Sequence, residues 1–354
     1  MSPVKHILHS GQTLCYDSSG NEVPCLGTGH DGEYKTGIPW PENRFLLQED
    51  VILDQLTGLT WLRNANINIF PCTWEESFLQ IAALNEQKYA GYSDWRLPNR
   101  NELRSLMDYQ NKKPALPGEL PASNVFLGWY WTSTTAAIQP AYAWSIHMEG
   151  ARMFYGRKDQ YQLFWPVRSK DSSILPQTGQ TQCFDELGNR IDCAGLQQDG
   201  ALQMGIAFPQ TRFTSSPDCK YIRDNLTGLG WMPTGNTTSK ALTWQEALNC
   251  ITAMNQKIPK EKQRWRLPGI NELASLVDCS AHSPALPENH PFTAMEDGYW
   301  SATTSFFETD WAWVLYLNKG ACGVGYKPEK NFYVWPVKTL ESANESYCKV
   351  PPPV

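Results

Sequence analysis

The sequence predicts an α+β fold built from two tandem copies of one domain. Three observations support this: a long internal repeat, helix-start signals in both copies, and a strand-like alternation in the last third of each copy. The chain has 354 residues, more than one hydrophobic core usually holds. Two domains of ordinary size are therefore expected.

The repeat preserves the order of its motifs. Cys15 and Cys25 in TLCYDSSGNEVPC return as Cys183 and Cys193 in TQCFDELGNRIDC. DQLTGLTW, WRLPNRNELRSLMD, PALP, YWTSTT and WPV return as DNLTGLGW, WRLPGINELASLVD, PALP, YWSATT and WPV. A period of roughly 170 residues is domain-sized and too long for a solenoid. With a boundary in the polar linker, the predicted domains are residues 1–170 and 171–354, and we expect them to fold independently.

The helix signals lie at matching places. Thr73 starts a capping box that Glu76 closes, and Thr243 repeats it in the second copy. After WRLP, Asn99 can cap a second helix with Glu102 three residues on. Because the last third alternates aromatic or β-branched residues with small and polar ones, we predict two helices beside a twisted antiparallel sheet in each domain.

Charge and composition exclude some classes of binding partner and indicate the cellular compartment of the protein. The 30 basic and 36 acidic residues give a net charge of −6 without a block of like charge, which argues against nucleic acid. The longest apolar stretch is too short to insert into a membrane, and the first residues lack the apolar core of a secretory signal. The ten cysteines, with two pairs at matching places, favour a disulfide framework and an oxidising compartment. We therefore expect a secreted or cell-surface protein.

Three disulfides are predicted. Each cysteine bracket spans a short segment with a Gly-Asn turn, so a hairpin can join Cys15 to Cys25 and Cys183 to Cys193. A weaker argument joins Cys250 to Cys279, because both lie at the ends of helices that should pack together. The remaining cysteines stay unassigned: Cys72, Cys219, Cys322 and Cys348.

The motif set LTGLxW, capping-box helix, WRLPxxxEL, PALP, YW[ST][SA]TT, AW and WPV resembles the Lcl C-terminal domain family over nearly all of both copies. The resemblance implies a C-type-lectin-like fold and a secreted or surface-displayed ligand-binding domain. Such domains occur in bacterial adhesins that bind glycosaminoglycans and in variable proteins of diversity-generating retroelements. The segment around RLP is also similar to the formylglycine-generating enzyme group.

Catalysis and cofactors have weaker support. His30, His147, His282 and His290 have no repeat partner, and neither a nucleophile elbow nor a zinc-protease motif occurs. We expect a binding protein without a cofactor, and the alternative is a formylglycine-generating-type oxidase acting on a peptide cysteine. C-type lectins often hold calcium, for which Asp54 and Asp224 are candidates. One carboxylate per copy favours an Asx turn, and calcium stays open.

Several repeated residues are expected to be structural. An arginine between a buried tryptophan and a proline favours a structural ion pair, which predicts that Arg96 clamps Glu102 and Arg266 clamps Glu272. The tryptophans that recur in both copies are predicted to lie in the core: Trp61, Trp95, Trp131 and Trp165 with Trp231, Trp265, Trp300 and Trp335.

The stretch between AW and WPV differs most between the copies, inside a framework that does not change. Fixed ends around a changed middle favour a binding surface. Alternation predicts that Trp144, Ile146, Met148, Trp313, Leu315 and Leu317 point inward and that their neighbours, Val314 among them, point outward. The predicted ligand-binding residues are Ser145, His147, Arg152, Tyr155, Arg157 and Lys158 in the first copy and Trp311, Tyr316, Asn318, Tyr326 and Lys327 in the second.

The partner of this surface is expected to be a glycan or a cell-surface protein. Arg152, Arg157 and Lys158 form a local basic patch on an acidic chain, which suits a sulfated or carboxylated glycan. Since the second copy has tyrosine where the first has histidine, the two copies are expected to bind different ligands.

Overall fold

A computed structural model describes residues 4–169, 173–256, 258–259 and 264–340. The described chain folds into two lobes, residues 41–169 and 209–340, each preceded by a small module with a cysteine hairpin. We call these lobe 1 and lobe 2, and we call residues 4–40 and 173–208 module 1 and module 2. The predicted boundary between residues 170 and 171 lies outside the described residues.

Module 1 holds a short hairpin and one helical turn, and lobe 1 holds the strands and two helices that the repeat predicts. The elements of module 1 are β1 (Cys15–Tyr16), β2 (Glu22–Val23) and α1 (Asp31–Tyr34). Those of lobe 1 are β3 (Phe45–Gln48), β4 (Val51–Asp54), β5 (Leu59–Leu62), α2 (Trp74–Glu86), α3 (Arg100–Arg104), β6 (Trp129–Thr135), β7 (Tyr142–His147), β8 (Met153–Arg157) and β9 (Val167–Ser169).

The second half repeats this order. Module 2 contains β10 (Cys183–Phe184), β11 (Arg190–Ile191) and α4 (Asp199–Leu202). Lobe 2 contains β12 (Phe213–Ser215), β13 (Ile222–Asp224), β14 (Leu229–Trp231), α5 (Trp244–Asn255), α6 (Ile270–Ser275), β15 (Gly298–Thr304), β16 (Trp311–Tyr316), β17 (Ala321–Tyr326) and β18 (Val337–Thr339).

The strands that pair are antiparallel, as predicted, but the largest sheet belongs to both lobes. Each lobe has its own four-stranded sheet, in the orders β3-β4-β5-β9 and β12-β13-β14-β18. The late strands join into one six-stranded sheet in the order β15-β16-β17-β8-β7-β6, in which Met153 of β8 pairs with Cys322 of β17. The two lobes therefore share a continuous central sheet.

Both faces of the central sheet are covered over much of its area. Trp313 and Leu315 of β16, and Leu317 directly after it, pack in the cluster that contains the short helix α6, as their predicted inward orientation requires. Val314 lies on the opposite face, in a second cluster with Trp244 and Ile251 of the long helix α5. The predicted outward orientation of Val314 is therefore wrong, because the long helix covers a face that simple alternation assigns to solvent.

The local signals read from the repeats are confirmed. Thr73 and Glu76, Thr243 and Glu246, and Asn99 and Glu102 form capping boxes. The guanidinium of Arg96 donates to both carboxylate oxygens of Glu102 at 2.6 Å in the protein interior, and Arg266 pairs with Glu272 in the same way. The repeated tryptophans are all buried. These residues stabilise the framework of each lobe and do not form an accessible site.

The Asx turn is confirmed as well. Asp54 accepts from the backbone of Leu56 and from the hydroxyl of Thr57, and it pairs with the buried Arg44. Asp224 makes the corresponding bonds in lobe 2. The role of both aspartates in the described residues is to hold the LTGL turn.

Each module packs against the lobe of the other copy. In module 2, the Asp199 carboxylate accepts from Thr134 of lobe 1 at 2.6 Å, and Gln180 makes two bonds to the backbone of Thr135. In module 1, Asp31 and Gln12 make the equivalent bonds to lobe 2, at Thr303 and Thr304. The modules are thus exchanged between the two repeats.

The interior between the lobes is also shared. Arg100 of α3 reaches the carbonyl oxygen of Gly320 and the sulfur of Cys279 in lobe 2, and it stacks on Trp144. Tyr109 packs edge-on against Trp313, with ring centroids 5.0 Å apart. Because of this common core and the module exchange, we expect that the halves 1–170 and 171–354 depend on each other for stability.

The two hairpin disulfides are confirmed and the third is not. Cys15 is bonded to Cys25 and Cys183 to Cys193. Cys250 and Cys279 carry free thiols, because α5 and the end of α6 lie on opposite faces of the central sheet and bring the two cysteines to different clusters. Cys72, Cys219 and Cys322 are also free thiols, and Cys348 lies outside the described residues.

The exchanged docking of module 2 should depend on pH. Burial raises the pKa of Asp199 from 3.8 to about 6, against the hydrogen bonds from Thr134 and Thr178 and the charge of Arg96, which lower it. The folded chain therefore holds this proton more tightly than the unfolded chain. The resulting stability is full below about pH 3.8 and is lost as the pH rises through about 6.

Replacing Asp199 with Asn should remove this dependence. We expect the free energy of unfolding of the natural chain, relative to Asp199→Asn, to fall by about 2 kcal/mol between pH 4 and pH 7. Urea denaturation of both proteins at the two pH values measures this difference. An equal difference at both values would contradict the assignment, whereas pH effects from other groups cancel in the comparison.

Candidate functional site

Aromatic and cationic side chains form an open surface where the two lobes meet on the central sheet. We call this surface the junction face, and it consists of Trp129, His147, Arg152, Phe154, Tyr316 and Lys319. Arg152 and Phe154 are exposed, Phe154 to 40%, and the other members are half-buried. The junction face lies on the side of the sheet that also carries the long helices.

The strand register brings these side chains together. His147 pairs with Trp129 on β6, and their rings meet edge-on at 5.0 Å. Because Met153 pairs with Cys322 across the lobe boundary, the antiparallel register sets Phe154 beside Ala321, which itself pairs with Tyr316. The Lys319 ammonium of lobe 2 lies 5.7 Å from the Phe154 ring centroid of lobe 1. The face is therefore composed of residues from both lobes.

A glycine sets the position of the tyrosine ring. A Cβ added to Gly323 would come within 2.8 Å of the Tyr316 ring, so the absence of a side chain there lets the ring approach β17 closely. The equivalent position in lobe 1 holds Phe154, whose own ring is exposed. One repeat thus supplies the aromatic group from β16 and the other from β8.

The junction face has cationic character without tight internal pairing. Among the described residues, neither Arg152 nor Lys319 has a carboxylate within ion-pair distance, whereas Glu149 nearby is paired with Lys113. Burial lowers the pKa of His147 and the charge of Arg152 lowers it further, against the Glu149 backbone and carboxylate, which raise it. This histidine is consequently neutral at neutral pH, and the positive charge of the face comes from Arg152 and Lys319.

Four of the sequence-predicted binding residues lie on or beside this face. His147, Arg152 and Tyr316 belong to it, and Asn318 is exposed in the turn that also holds Lys319. Trp129, Phe154 and Lys319 were missed. For Phe154 the signal was available, because it alternates with Met153 and Tyr155 on a strand whose partner residues are buried.

Other predicted residues point to the opposite side of the sheet. Tyr155 packs edge-on against Trp144, and the half-buried Trp311 contacts Tyr326 at 5.4 Å between ring centroids. Arg157 is exposed and paired with Asp159. Because these positions alternate with the junction face along β8, β16 and β17, they cannot form one surface with it.

Three predicted residues are buried and must be corrected. Ser145 is covered on β7, where the N-terminal end of α2 and Trp131 pack on the same face. Lys158 and Lys327 have relative exposures of 1% and 0%. None of the three can contact a ligand in this fold.

The two buried lysines hold the exchanged modules. Lys327 donates to the carbonyl oxygens of Tyr16 and Asp17 at 3.0 Å each, while its ammonium lies 4.1 Å from the centroid of the Trp244 ring. Lys158 donates to the carbonyl oxygens of Phe184 and Asp185 at 3.0 and 3.1 Å, and its ammonium lies 4.0 Å from the centroid of the Trp74 ring. Burial lowers the pKa of each lysine to about 7, against nearby aspartates, which raise it. Both lysines occupy equivalent positions in the repeat, a sign of a structural role that the sequence analysis overlooked.

Metal and membrane sites have no support in the described part of the chain. There, no group of three or more His, Cys, Asp or Glu side chains is placed to hold a metal ion. The helices of the described residues are also too short or too polar to cross a bilayer.

Comparison with known proteins identifies both repeats. The model of the Lcl C-terminal domain family matches residues 50–168 and again residues 220–338, together more than half of the chain. The matches cover most of each lobe and neither module. A comparison with curated proteins gives no match.

Proposed function

Because this chain belongs to the Lcl C-terminal domain family in two tandem copies, we propose that it is a secreted or cell-surface ligand-binding protein of the adhesin or receptor-recognition type, with a C-type-lectin-like fold in each lobe. The junction face is the binding surface, and its ligand is a glycan carrying carboxylate or sulfate groups. The observation that carries the proposal is the exposure of Phe154 beside two cations without carboxylate partners among the described residues. The two disulfides suit an oxidising, extracellular compartment.

The chemistry of the face fits such a ligand. Arginine donates paired hydrogen bonds to carboxylate or sulfate oxygens, and such charge-assisted bonds are stronger than neutral ones. Flat aromatic rings bury the apolar side of a sugar with little loss of side-chain freedom. Since Arg152 and Phe154 come from lobe 1 and Tyr316 and Lys319 from lobe 2, one composite site per chain replaces the earlier expectation of two separate ligands.

The oxidase alternative has less support. A formylglycine-generating type of reaction needs reactive thiolates, yet burial raises the pKa of Cys72 and Cys279 to about 12. Both thiols are protonated at neutral pH. A free-thiol count with and without copper tests this alternative directly, since an oxidase would change its reactive thiols when the metal is added.

Substitutions on the junction face should reduce binding without unfolding the protein. We expect Arg152→Ala and Phe154→Ala each to weaken the binding of an acidic glycan by about tenfold, or roughly 1.4 kcal/mol. Tyr316→Ala should cost about 2 kcal/mol of binding. A glycan array identifies the ligand, and titration at low and high salt then measures affinity, which should fall as salt screens the cations.

Tyr326→Ala and Arg157→Ala are the matched controls, because both residues lie off the junction face. If these controls lost binding while Arg152→Ala and Phe154→Ala kept it, the surface would be wrongly placed. If the array showed no binding and a cell-surface protein bound in a way that required Phe154, the position of the binding surface would be supported. The assignment of a glycan as its ligand would be wrong.

A further inference from the structure

A cavity of about 60 Å³ lies between the lobes, beside the short helices α3 and α6 and away from the junction face. At roughly 10–15 Å³ per water, this volume holds a few waters or one small ion. Residues of both modules and of both short helices line it, among them His6, His9, Arg104, Gln177 and Asn271. None of these lining residues is acidic.

The lining differs between the repeats at several positions, and three of these differences change its polar side chains. Asn101 and Ser105 of α3 and its C-terminal end correspond to Asn271 and Ser275 of lobe 2. Arg104, by contrast, corresponds to Ala274. The other two differences are His6 in place of Ile174 and His9 in place of Gln177. The asymmetry therefore adds one guanidinium and two imidazoles to the lining that module 1 and α3 contribute.

Arg104 has no carboxylate partner in the described part of the chain. Its Nε donates to the Tyr109 hydroxyl at 3.0 Å and its Nη2 to the Ile270 carbonyl oxygen at 3.1 Å. Its Nη1 has no partner among the described residues. The buried Arg44 and Arg96, in contrast, are each paired with an acidic side chain. Arg104 is half-buried, and a partly desolvated guanidinium without a counter-charge would be stabilised by an anion in the cavity.

His9 adds a second unused donor. The backbone amide of Gly11 donates to its Nδ1 at 3.0 Å, so a neutral ring carries its proton on Nε2. That Nε2 is buried without an acceptor among the described residues. Arg104 and His9 thus both line the cavity, and each has a side-chain nitrogen without a partner among the described residues.

We propose that this cavity binds one small anion, a carboxylate such as acetate or an inorganic oxyanion such as sulfate, with Arg104 as its main ligand. The site goes beyond the proposed glycan surface, because it lies on the other side of the central sheet and contacts both lobes. A bound anion would stabilise the association of the lobes, since it would neutralise a charge of lobe 1 within a cavity partly built by lobe 2.

Thermal unfolding of the full chain tests the proposal. Acetate or sulfate replaces chloride at constant ionic strength, and the two anions distinguish a carboxylate site from an oxyanion site. We expect at least one of them to raise the melting temperature saturably, with a midpoint in the millimolar range. Arg104→Ala, which introduces the residue found at the equivalent position of lobe 2, should raise that midpoint at least tenfold.

Two further variants keep the test decisive. Arg157→Ala removes an exposed arginine far from the cavity and should leave the midpoint unchanged. If Arg104→Ala does not fold, His6→Ile, again the residue of the other repeat, should raise the midpoint several-fold. A rise that does not saturate and is equal in all variants would be a general salt effect and would overturn the proposal, as would no rise in the natural chain.

Discussion

A fragment of residues 41–208 should unfold in one cooperative thermal transition, whereas a fragment of residues 1–170, of nearly equal length, should show none. The first fragment keeps module 2 on the lobe that it covers, through Asp199 to Thr134 and Gln180 to Thr135. The second fragment retains a module without its lobe and a lobe without its module. Differential scanning calorimetry measures the two transitions.

The comparison needs fragments that are monomeric, because a second copy of residues 1–170 could supply the missing lobe. Sedimentation at the concentration of the scan establishes this. If the monomeric fragment 1–170 unfolded cooperatively at a temperature as high as that of the fragment 41–208, the exchanged packing of the modules would contribute little to stability. The boundary drawn from the sequence alone would then describe a real folding unit.

Lys327→Ala in the full chain should lower the free energy of unfolding by about 3 kcal/mol. The substitution removes the donor to Tyr16 O, Asp17 O and Thr309 O and leaves a hole beside Trp244. The loss is partly offset, since a charge no longer has to be buried. Urea denaturation measures the change, and limited proteolysis should cut module 1 more readily.

Two variants separate the causes of this loss. Lys327→Met keeps most of the packing on the Trp244 ring but none of the hydrogen bonds. It should therefore be about 1 kcal/mol more stable than Lys327→Ala. Lys330→Ala removes a nearby exposed lysine, whose ion pair with Glu246 is worth little. A loss in Lys327→Ala no larger than in Lys330→Ala would show that the buried lysine does not hold the module.

The sequence was a good guide wherever the cause of a structure is local. The capping boxes, the Asx turns and the two hairpin disulfides depend on residues only a few positions apart, and each forms as predicted. The buried face of the late strands also follows from alternation, as Trp144 and Trp313 show. The repeat itself indicated which residues belong to the framework.

Predictions were wrong where a helix or module from a distant part of the sequence buries the second face of a strand. Alternation cannot reveal that a helix or an exchanged module lies over the other face of a strand, so Ser145, Lys158 and Lys327 were placed in solvent although they are buried. The proposed bond between Cys250 and Cys279 failed for a related reason, because helix ends that lie close in the sequence pattern can lie on opposite sides of a sheet.

The sequence by itself determined that this protein has two α+β repeats of the Lcl C-terminal domain family, each with a disulfide-closed hairpin. Only the tertiary structure decided which lobe each hairpin covers and that the late strands form one sheet with one junction face. The physical reason is that the repeats carry the same docking groups: Lys158 and Lys327, Thr134 and Thr303, Asp199 and Asp31. Either pairing satisfies the same hydrogen bonds, so the path of the chain and the packing between the lobes select the exchanged one.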